Sequence, residues 1–399
     1  MKTMFKAGLF SLIWITSTLF SMAQNSQQIQ EIRRSVQQQY APDKRTEVFD
    51  IRVEENAQSL VLKGETSSHE AYRTLIQRLQ ALPYSLQDSI RLLPDVRLQD
   101  KTWGVIYNSV GTLHSAPSYS SETVSQVLLG MPVKILDEQG GWRRIQTPEK
   151  YIGWINRSVQ PMTESELDSY RRQPKIVITR LYTSSYEKAN ARSQQVSDLV
   201  TGNTLAVTGT KGKYYRVVYP DGRKAFVPKA DAENEQDWFS HIQRTPEAVT
   251  RTALKFMGIP YVWGGTSAKG LDCSGFTKTV YLHHGILLAR DASQQVLYGK
   301  LIDDTADFTE AQPGDLVFFG TPASNDQPRE RVVHVGIYLG DKKFIHASDH
   351  IRISSFDPAD PLYDAYNSGR YLRTKRILGE VGTPGIEEIR GNDFYRPAP

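Results

Sequence analysis

The chain has 399 residues, of which 39% are hydrophobic and 23% charged, and it carries a net charge of +4. Such proportions belong to soluble globular proteins, and the length asks for two to four domains, each with its own core. A charge so small and dispersed argues against nucleic acid as a partner, and a single cysteine excludes an internal disulfide.

Lys2 and Lys6 precede an apolar run over 7–20, and Ser21-Met22-Ala23 supplies a small-x-small cleavage site. Residues 1–23 therefore read as a secretory signal peptide. The run is short for a membrane span, polar residues follow it, and no cysteine stands after the cleavage site to take a lipid anchor. The expectation is an exported protein, periplasmic or else secreted or wall-associated. In an oxidising compartment a free thiol is either tolerated or needed.

Residues 24–100 read as a small α/β unit. Apolar spacing predicts helices over 28–40 and 68–82, with strands over 46–53 and 59–64 between them. Nothing in this unit has catalytic character, and a packing or spacer role is expected. From Trp103 the texture changes to short strands and turns, and then it repeats. Gly130, Val133, Trp142 and Trp154 return 72 residues later as Gly202, Leu205, Tyr214 and Phe226. Two copies of a strand-rich unit of roughly 55–60 residues predict two small β-barrels, over 101–165 and 174–234. Their pattern resembles the bacterial SH3-like domains that accompany cell-wall enzymes. Their aromatic residues are expected mainly in the barrel cores.

A linker over 232–237 leads into a third region, 238–378. Thr245 caps a helix with Pro246 at its first position, and Val249, Ala253, Phe256 and Met257 form its apolar stripe. A second helix starts at the only cysteine. Asp272 is a good N-cap, and Phe276, Thr277, Val280 and Tyr281 follow at helical spacing until Gly285 ends the run. Cys273 then lies in a first turn, where unpaired N–H groups and the macrodipole favour an anion. That placement is expected to lower its pKa. Asp291 caps a further short helix, and Pro313-Gly314 turns into a strand over 316–319. Strands over 332–339 and 343–347 flank the hairpin signal Gly340-Asp341. Helices first and a strand meander after them predict an α+β domain with an antiparallel sheet. The tail, 379–399, reads as an extended appendage.

A cysteine nucleophile needs a base within hydrogen-bond reach, and that base needs an orienting partner. Among eight histidines, His334 and His346 stand at matched positions of the hairpin. His334, Gly336 and Tyr338 share one strand face, opposite a core face of Val333, Val335, Ile337 and Leu339. With a three-residue loop His346 would sit directly across from His334, about 4.5–5.5 Å away at Cβ; a two-residue loop would break that register. The pair suits a base, His334, and an orienter, His346, that fixes its tautomer. His283 and His284 close the Cys273 helix and are expected to be structural cations facing its C-terminal dipole. No His-Glu-x-x-His or paired-cysteine spacing occurs, so neither a metal nor another cofactor is expected.

Trp263-Gly264-Gly265, Asp272-Cys273-Ser274-Gly275-Phe276, Pro313-Gly314-Asp315-Leu316, His334-Val335-Gly336-Ile337-Tyr338 and His346-Ala347 together resemble the NlpC-type papain-like cysteine peptidases of bacterial cell walls. The likeness covers about 140 residues, in order and spacing. It implies a triad of Cys273 as nucleophile, His334 as base and His346 as orienter, with the Cys273 N–H in the oxyanion hole. It also implies hydrolysis of the amide between γ-D-glutamate and a diamino acid, diaminopimelate or lysine, in peptidoglycan stem peptides. Asp272 and Ser274 would line the cleft. A signal peptide, a lead-in unit, two SH3-like barrels and a C-terminal peptidase further resemble the dipeptidyl-peptidase VI branch, which acts on stem peptides with a free N-terminal L-alanine. In that branch the first barrel lends an acidic residue and a tyrosine to the cleft, and Glu122 and Tyr151 are the matching positions. An ammonium in a cleft needs a carboxylate partner, which makes Glu122 and Asp291 its candidates. Ser293 would help hold the glutamyl portion, and Trp263 would close over it.

Two enzymatic readings compete. One is an exported, monomeric endopeptidase that requires the free amine and recycles released wall fragments. The other is a hydrolase of intact wall, endopeptidase or amidase, with the barrels as tethers. The first needs Glu122 and Tyr151 in the cleft; the second does not. A wall-binding scaffold with a dead catalytic domain is opposed by the intact Cys273, His334 and His346.

Overall fold

The structure, a computed structural model, describes residues 26–56 and 58–397, so the signal peptide expected over 1–23 lies outside the described residues. The chain divides after Gln99 into two compact units. In the first, a helix over 26–40 and the helix His69–Gln80 share one core with a three-stranded sheet. Phe49–Glu55 and Ser59–Thr66 form an antiparallel hairpin, and Ser85–Leu92 then pairs in parallel with Ser59–Thr66. The sequence pattern misses this third strand because it carries the polar run Gln87-Asp88-Ser89 and buries none of its residues fully.

The second unit holds two seven-stranded antiparallel sheets with the same strand order. Each strand from Trp103–Ile106 through Ile152–Asn156 has a counterpart that starts 72 residues later, from Lys175–Ile178 through Lys224–Pro228. The repeat legible in the sequence is therefore a repeat of topology. Trp142 and Trp154 are 7% and 9% exposed, as expected of core aromatics, while their counterparts Tyr214 and Phe226 are half-buried. Two segments differ from expectation. Between the sheets, Glu164–Arg171 is a helix held by a capping box in which Thr163 Oγ1 accepts the Glu166 N–H and Glu166 accepts the Thr163 N–H. The expected linker over 232–237 is instead the strand Ala232–Asn234, paired with Lys175–Ile178, and the start of the helix Glu235–His241.

The remainder is α+β. The helix Pro246–Leu254 has the expected Thr245 cap, but Met257 lies beyond its end and is 45% exposed instead of joining the stripe. A six-stranded antiparallel sheet runs in the order Lys300–Asp303, Tyr371–Arg376, Leu316–Thr321, Arg331–Gly340, Lys343–Ala347, Ile351–Ser355. The helix Cys273–Leu282 packs against Arg331–Gly340, and Phe276 and Val280 share a core with Val335 and Ile337. This contact brings the cysteine to the histidine strand.

The tail is not an appendage. Ile386–Glu388 pairs antiparallel with Ile286–Leu288, and Phe394 packs edge-on against Trp103. Arg171 donates to the carbonyl oxygens of Asp393 and Phe394. Its glycines and prolines mask buried apolar side chains, Ile386, Ile389 and Phe394, which strap the cysteine-bearing region to the first seven-stranded sheet. Among the described residues no helix is long and apolar enough to cross a membrane.

Candidate active site

Cys273 begins its helix for a local reason. Asp272 is extended, its Oδ1 accepts the Gly275 N–H at 2.7 Å, and its Oδ2 accepts the Gly264 N–H at 3.0 Å. The cap thus also ties down the Trp263-Gly264-Gly265 loop. Gly264 has φ +79°, and a Cβ there would lie 2.8 Å from the Thr123 carbonyl oxygen, so only glycine lets this loop approach the first sheet. The amides of Val335 and Ser274 face the sulfur and favour its charged form, which sets the thiol beside the strand of His334.

His334 is buried, and its Nε2 meets His346 Nδ1 at 2.8 Å with the rings 81° apart. Its Nδ1 makes no hydrogen bond to a described residue. His346 is fully buried, with Nε2 3.0 Å from Ser354 Oγ and 3.9 Å from Asp364 Oδ2. The two histidines pair diagonally, not directly, because His346 lies opposite Gly336. The hairpin turns through Asp341-Lys342, both at positive φ. That turn alone would place His346 opposite Ile337 and on the wrong face; a bulge at Leu339 shifts the pairing by one residue and restores the face. A Cβ at position 336 would lie 3.2 Å from His346 Cβ, so Gly336 gives the imidazole room to lean toward His334. Val333, expected in the core, is 42% exposed because a second bulge, at Phe319/Gly320, turns it outward.

Burial pushes the Cys273 thiol up to about 12, and the Asp272 charge adds to the rise; amides and Arg290 counter it only in part. The expected lowering of this pKa is therefore overturned. A thiol 8% exposed loses more by desolvation than the first turn of a ten-residue helix returns. Burial also holds His334 well below its usual value, with His346 and Arg370 as lesser causes, and takes His346 to about 4. Burial thus favours the neutral thiol at Cys273 and the neutral imidazole at His334. His283 and His284 are not cations either. Burial lowers both, His283 to about 4, and their rings bond Thr279 O and Thr201 Oγ1, and Gln243 O and Thr252 Oγ1.

The first seven-stranded sheet reaches this region. Trp263, 62% exposed, donates from Nε1 to Glu122 Oε1 at 2.9 Å, and Tyr151 Oη donates to Asp291 Oδ2 at 3.3 Å. Ser293 is half-buried on the short helix Ala292–Gln295 that Asp291 caps. Asp272 and Ser274 are only 6% and 4% exposed and are committed to a residue the sequence reading left without a role, Arg290. Its guanidinium donates to Asp272 Oδ2 at 2.5 Å, to Asp272 Oδ1 at 3.2 Å and to Ser274 Oγ at 3.0 Å. Its Nε donates to Ser125 Oγ at 3.0 Å, on the first sheet. Beside Ser125, Gln126 Oε1 accepts from the Thr266 N–H and the Ser267 hydroxyl. No local signal marks these residues: an arginine after the apolar Ile286–Leu288 reads as surface.

Two cavities of about 310 Å³ lie elsewhere, one bordered by Leu282 and the tail, the other behind His283 and His284. Neither is lined by Cys273, His334 or His346. Among the described residues no cluster of His, Cys, Asp and Glu is arranged to hold a metal ion.

Residues 258–376 match the NlpC/P60 family, and residues 109–160 match the bacterial SH3 domain. The gamma-D-glutamyl-L-lysine dipeptidyl-peptidase of Bacillus cereus is 32% identical over 291 residues, covering 68% of this chain and 75% of that protein. The chain belongs to the NlpC/P60 family. Dipeptidyl-peptidase 6 of Lysinibacillus sphaericus is 28% identical over 65% of this chain and 93% of its own length. The crystal structure of an NlpC/P60 family protein from Bacillus cereus superposes with a TM-score of 0.58 at 25% identity, over 69% of this chain and 99% of that chain. As an NlpC/P60 cysteine peptidase, the protein has a single cysteine, Cys273, to offer as nucleophile.

Proposed function

We propose that this NlpC/P60 peptidase hydrolyses the amide between γ-D-glutamate and a diamino acid, diaminopimelate or lysine, in stem peptides with a free N-terminal L-alanine. The observation that carries the amine requirement is the pair of contacts made by the SH3 domain, Glu122 to Trp263 and Tyr151 to Asp291. Glu122 of the SH3 domain and Asp291 of the peptidase domain each supply a carboxylate at these contacts, and in this reading they hold the substrate ammonium. The relatives named as dipeptidyl-peptidases support the same bond.

In this reading Cys273 Sγ passes its proton to His334 Nδ1 and attacks the γ-glutamyl carbonyl carbon. The oxyanion faces the Cys273 N–H, one of the unpaired donors at a helix start. His334 then protonates the leaving amine, and water, deprotonated by the same nitrogen, releases the acyl group. Asp272 and Ser274 shape the cleft wall under Arg290, and Ser293 and Trp263 hold the glutamyl portion. Residues 24–100 act as a spacer, 101–165 and 174–234 are both SH3-like barrels, and 1–23 direct export to the periplasm. A monomer recycling released wall peptides is the corresponding role.

A matched pair of digests followed by mass spectrometry tests this. The substrates are L-Ala-γ-D-Glu-diaminopimelate and the same peptide N-acetylated, with Cys273→Ala as control. Cleavage of the free peptide alone is expected. Equal cleavage of both would remove the amine requirement and leave a general wall hydrolase with the barrels as tethers.

A further inference from the structure

The hydrogen-bonded row does not stop at the second histidine. His334 Nε2 meets His346 Nδ1 at 2.8 Å, and His346 Nε2 meets Ser354 Oγ at 3.0 Å. Asp364 Oδ2 stands 3.9 Å from that same Nε2. His346 and Ser354 are 0% and 4% exposed, so no bulk solvent exchanges their protons freely.

Such a row can place its protons in two ways. In one, His334 donates from Nε2 to His346 Nδ1, and His346 donates from Nε2 to Ser354 Oγ. His334 Nδ1 then has a free lone pair and can take the thiol proton. In the other, every donor is reversed: Ser354 donates to His346 Nε2, His346 donates from Nδ1 to His334 Nε2, and His334 Nδ1 already carries its proton. That register is inert. The two rings do not choose between the registers, and neither does a serine hydroxyl, which both donates and accepts.

We propose that Ser354 and Asp364 are positioning residues that hold the His334–His346 pair in the register able to accept the Cys273 proton. The inference rests on the Cys273–His334–His346 reading above. Asp364 supplies the bias, since a carboxylate near His346 Nε2 favours a proton there. Its own charge is kept by the Asn367 amide and side chain, which hold its carboxyl below the usual range against the cost of burial. The other charges facing His346 are Arg352, Arg370 and Asp349. Burial first, then Arg352, directly across the strand pair from His346, and Arg370 oppose a positive charge on His346. His346 therefore stays neutral while His334 is protonated, and its Nδ1 accepts from the imidazolium.

Both positions lie outside the hairpin, Ser354 on Ile351–Ser355 and Asp364 as N-cap of Ala365–Ser368. Asparagine caps helices as well as aspartate does, so Asp364→Asn removes the charge and keeps the cap. The test uses the full-length enzyme with Ser354→Ala and Asp364→Asn, and with Ser354→Thr as the conservative rescue. Three quantities are read: the ring ¹⁵N shifts of His346, the rate of Cys273 alkylation by iodoacetamide, and kcat and KM on the free-amine tripeptide. The native enzyme should show the proton on His346 Nε2. Each disabling variant should populate the Nδ1–H form and lose about 10–100-fold in alkylation rate and kcat at unchanged KM, the range expected when the group fixing a histidine tautomer is lost. Ser354→Thr should restore all three. A His346 tautomer unchanged in both disabling variants overturns the proposal, whatever kcat does. If the native enzyme cleaves no stem peptide, the substrate reading fails, while the tautomer and alkylation readings still decide this one.

Discussion

Arg290 makes four hydrogen bonds with 1% of its side chain exposed, three of them to the residues that flank Cys273. Removing one member of such a buried pair strands the other charge. Arg290→Met should therefore lower stability by about 3–5 kcal/mol, read as a fall in Tm, because the buried Asp272 carboxylate loses its ion-pair partner. Arg290→Lys should recover little of the loss, since an ammonium cannot bridge both oxygens of Asp272 and still reach Ser274 and Ser125. A melting temperature unchanged in Arg290→Met would contradict the network. At this scale Cys273, His334 and His346 are legible in the sequence as candidates, because a lone cysteine, its cap and a hairpin each leave a local mark. Arg290, Ser354 and Asp364 leave none, because their partners are 18, 8 and 18 positions away in the chain.

Among elements, the Cys273 helix follows from its sequence, since Asp272 caps it by a bond three residues long. The hairpin register does not. It depends on a bulge at Leu339, whose position is set by how both faces of the strand pack. The faces of that strand are both buried from His334 to Tyr338, so alternation of apolar and polar residues is a poor guide there. The tail shows the same limit from the other side. Phe394, 8% exposed, makes a T-shaped contact with Trp103, ring centroids 5.3 Å apart, and the Arg171 guanidinium lies over the Trp103 ring, 5.3 Å from its centroid. Phe394→Ala should cost about 3 kcal/mol, at the low end for a buried aromatic because the site lies at the surface edge. Thermal or urea unfolding followed by tryptophan fluorescence checks it; a wild-type transition would mean that the tail does not strap the domains.

Across the second unit, the SH3 domain docks on the region that carries Cys273. Lys278, on the Cys273 helix, pairs with Glu149 at 3.1 Å with side-chain exposures of 5% and 2%. Arg290 reaches Ser125, Trp263 reaches Glu122, and Asp291 reaches Tyr151. If Glu122 reads the substrate amine, Glu122→Gln should lower kcat/KM on the free-amine tripeptide by about 10–150-fold, the worth of a charge-assisted hydrogen bond of about 1.5–3 kcal/mol. The loss should fall mainly in KM. An unchanged KM would separate Glu122 from substrate binding.

Short-range chemistry encodes a 72-residue repeat of strands, a capped helix with the only cysteine in its first turn, and two histidines on one hairpin, and all three are legible along the chain. Tertiary structure alone decided the protonation of those groups, because desolvation depends on everything packed around them. It raised the thiol and lowered the imidazoles, against the helix-terminus effect that sequence suggests. It also decided which residues of the SH3 domain meet the cysteine region, since contacts spanning more than a hundred residues follow from the docking of two surfaces and from no pattern along the chain.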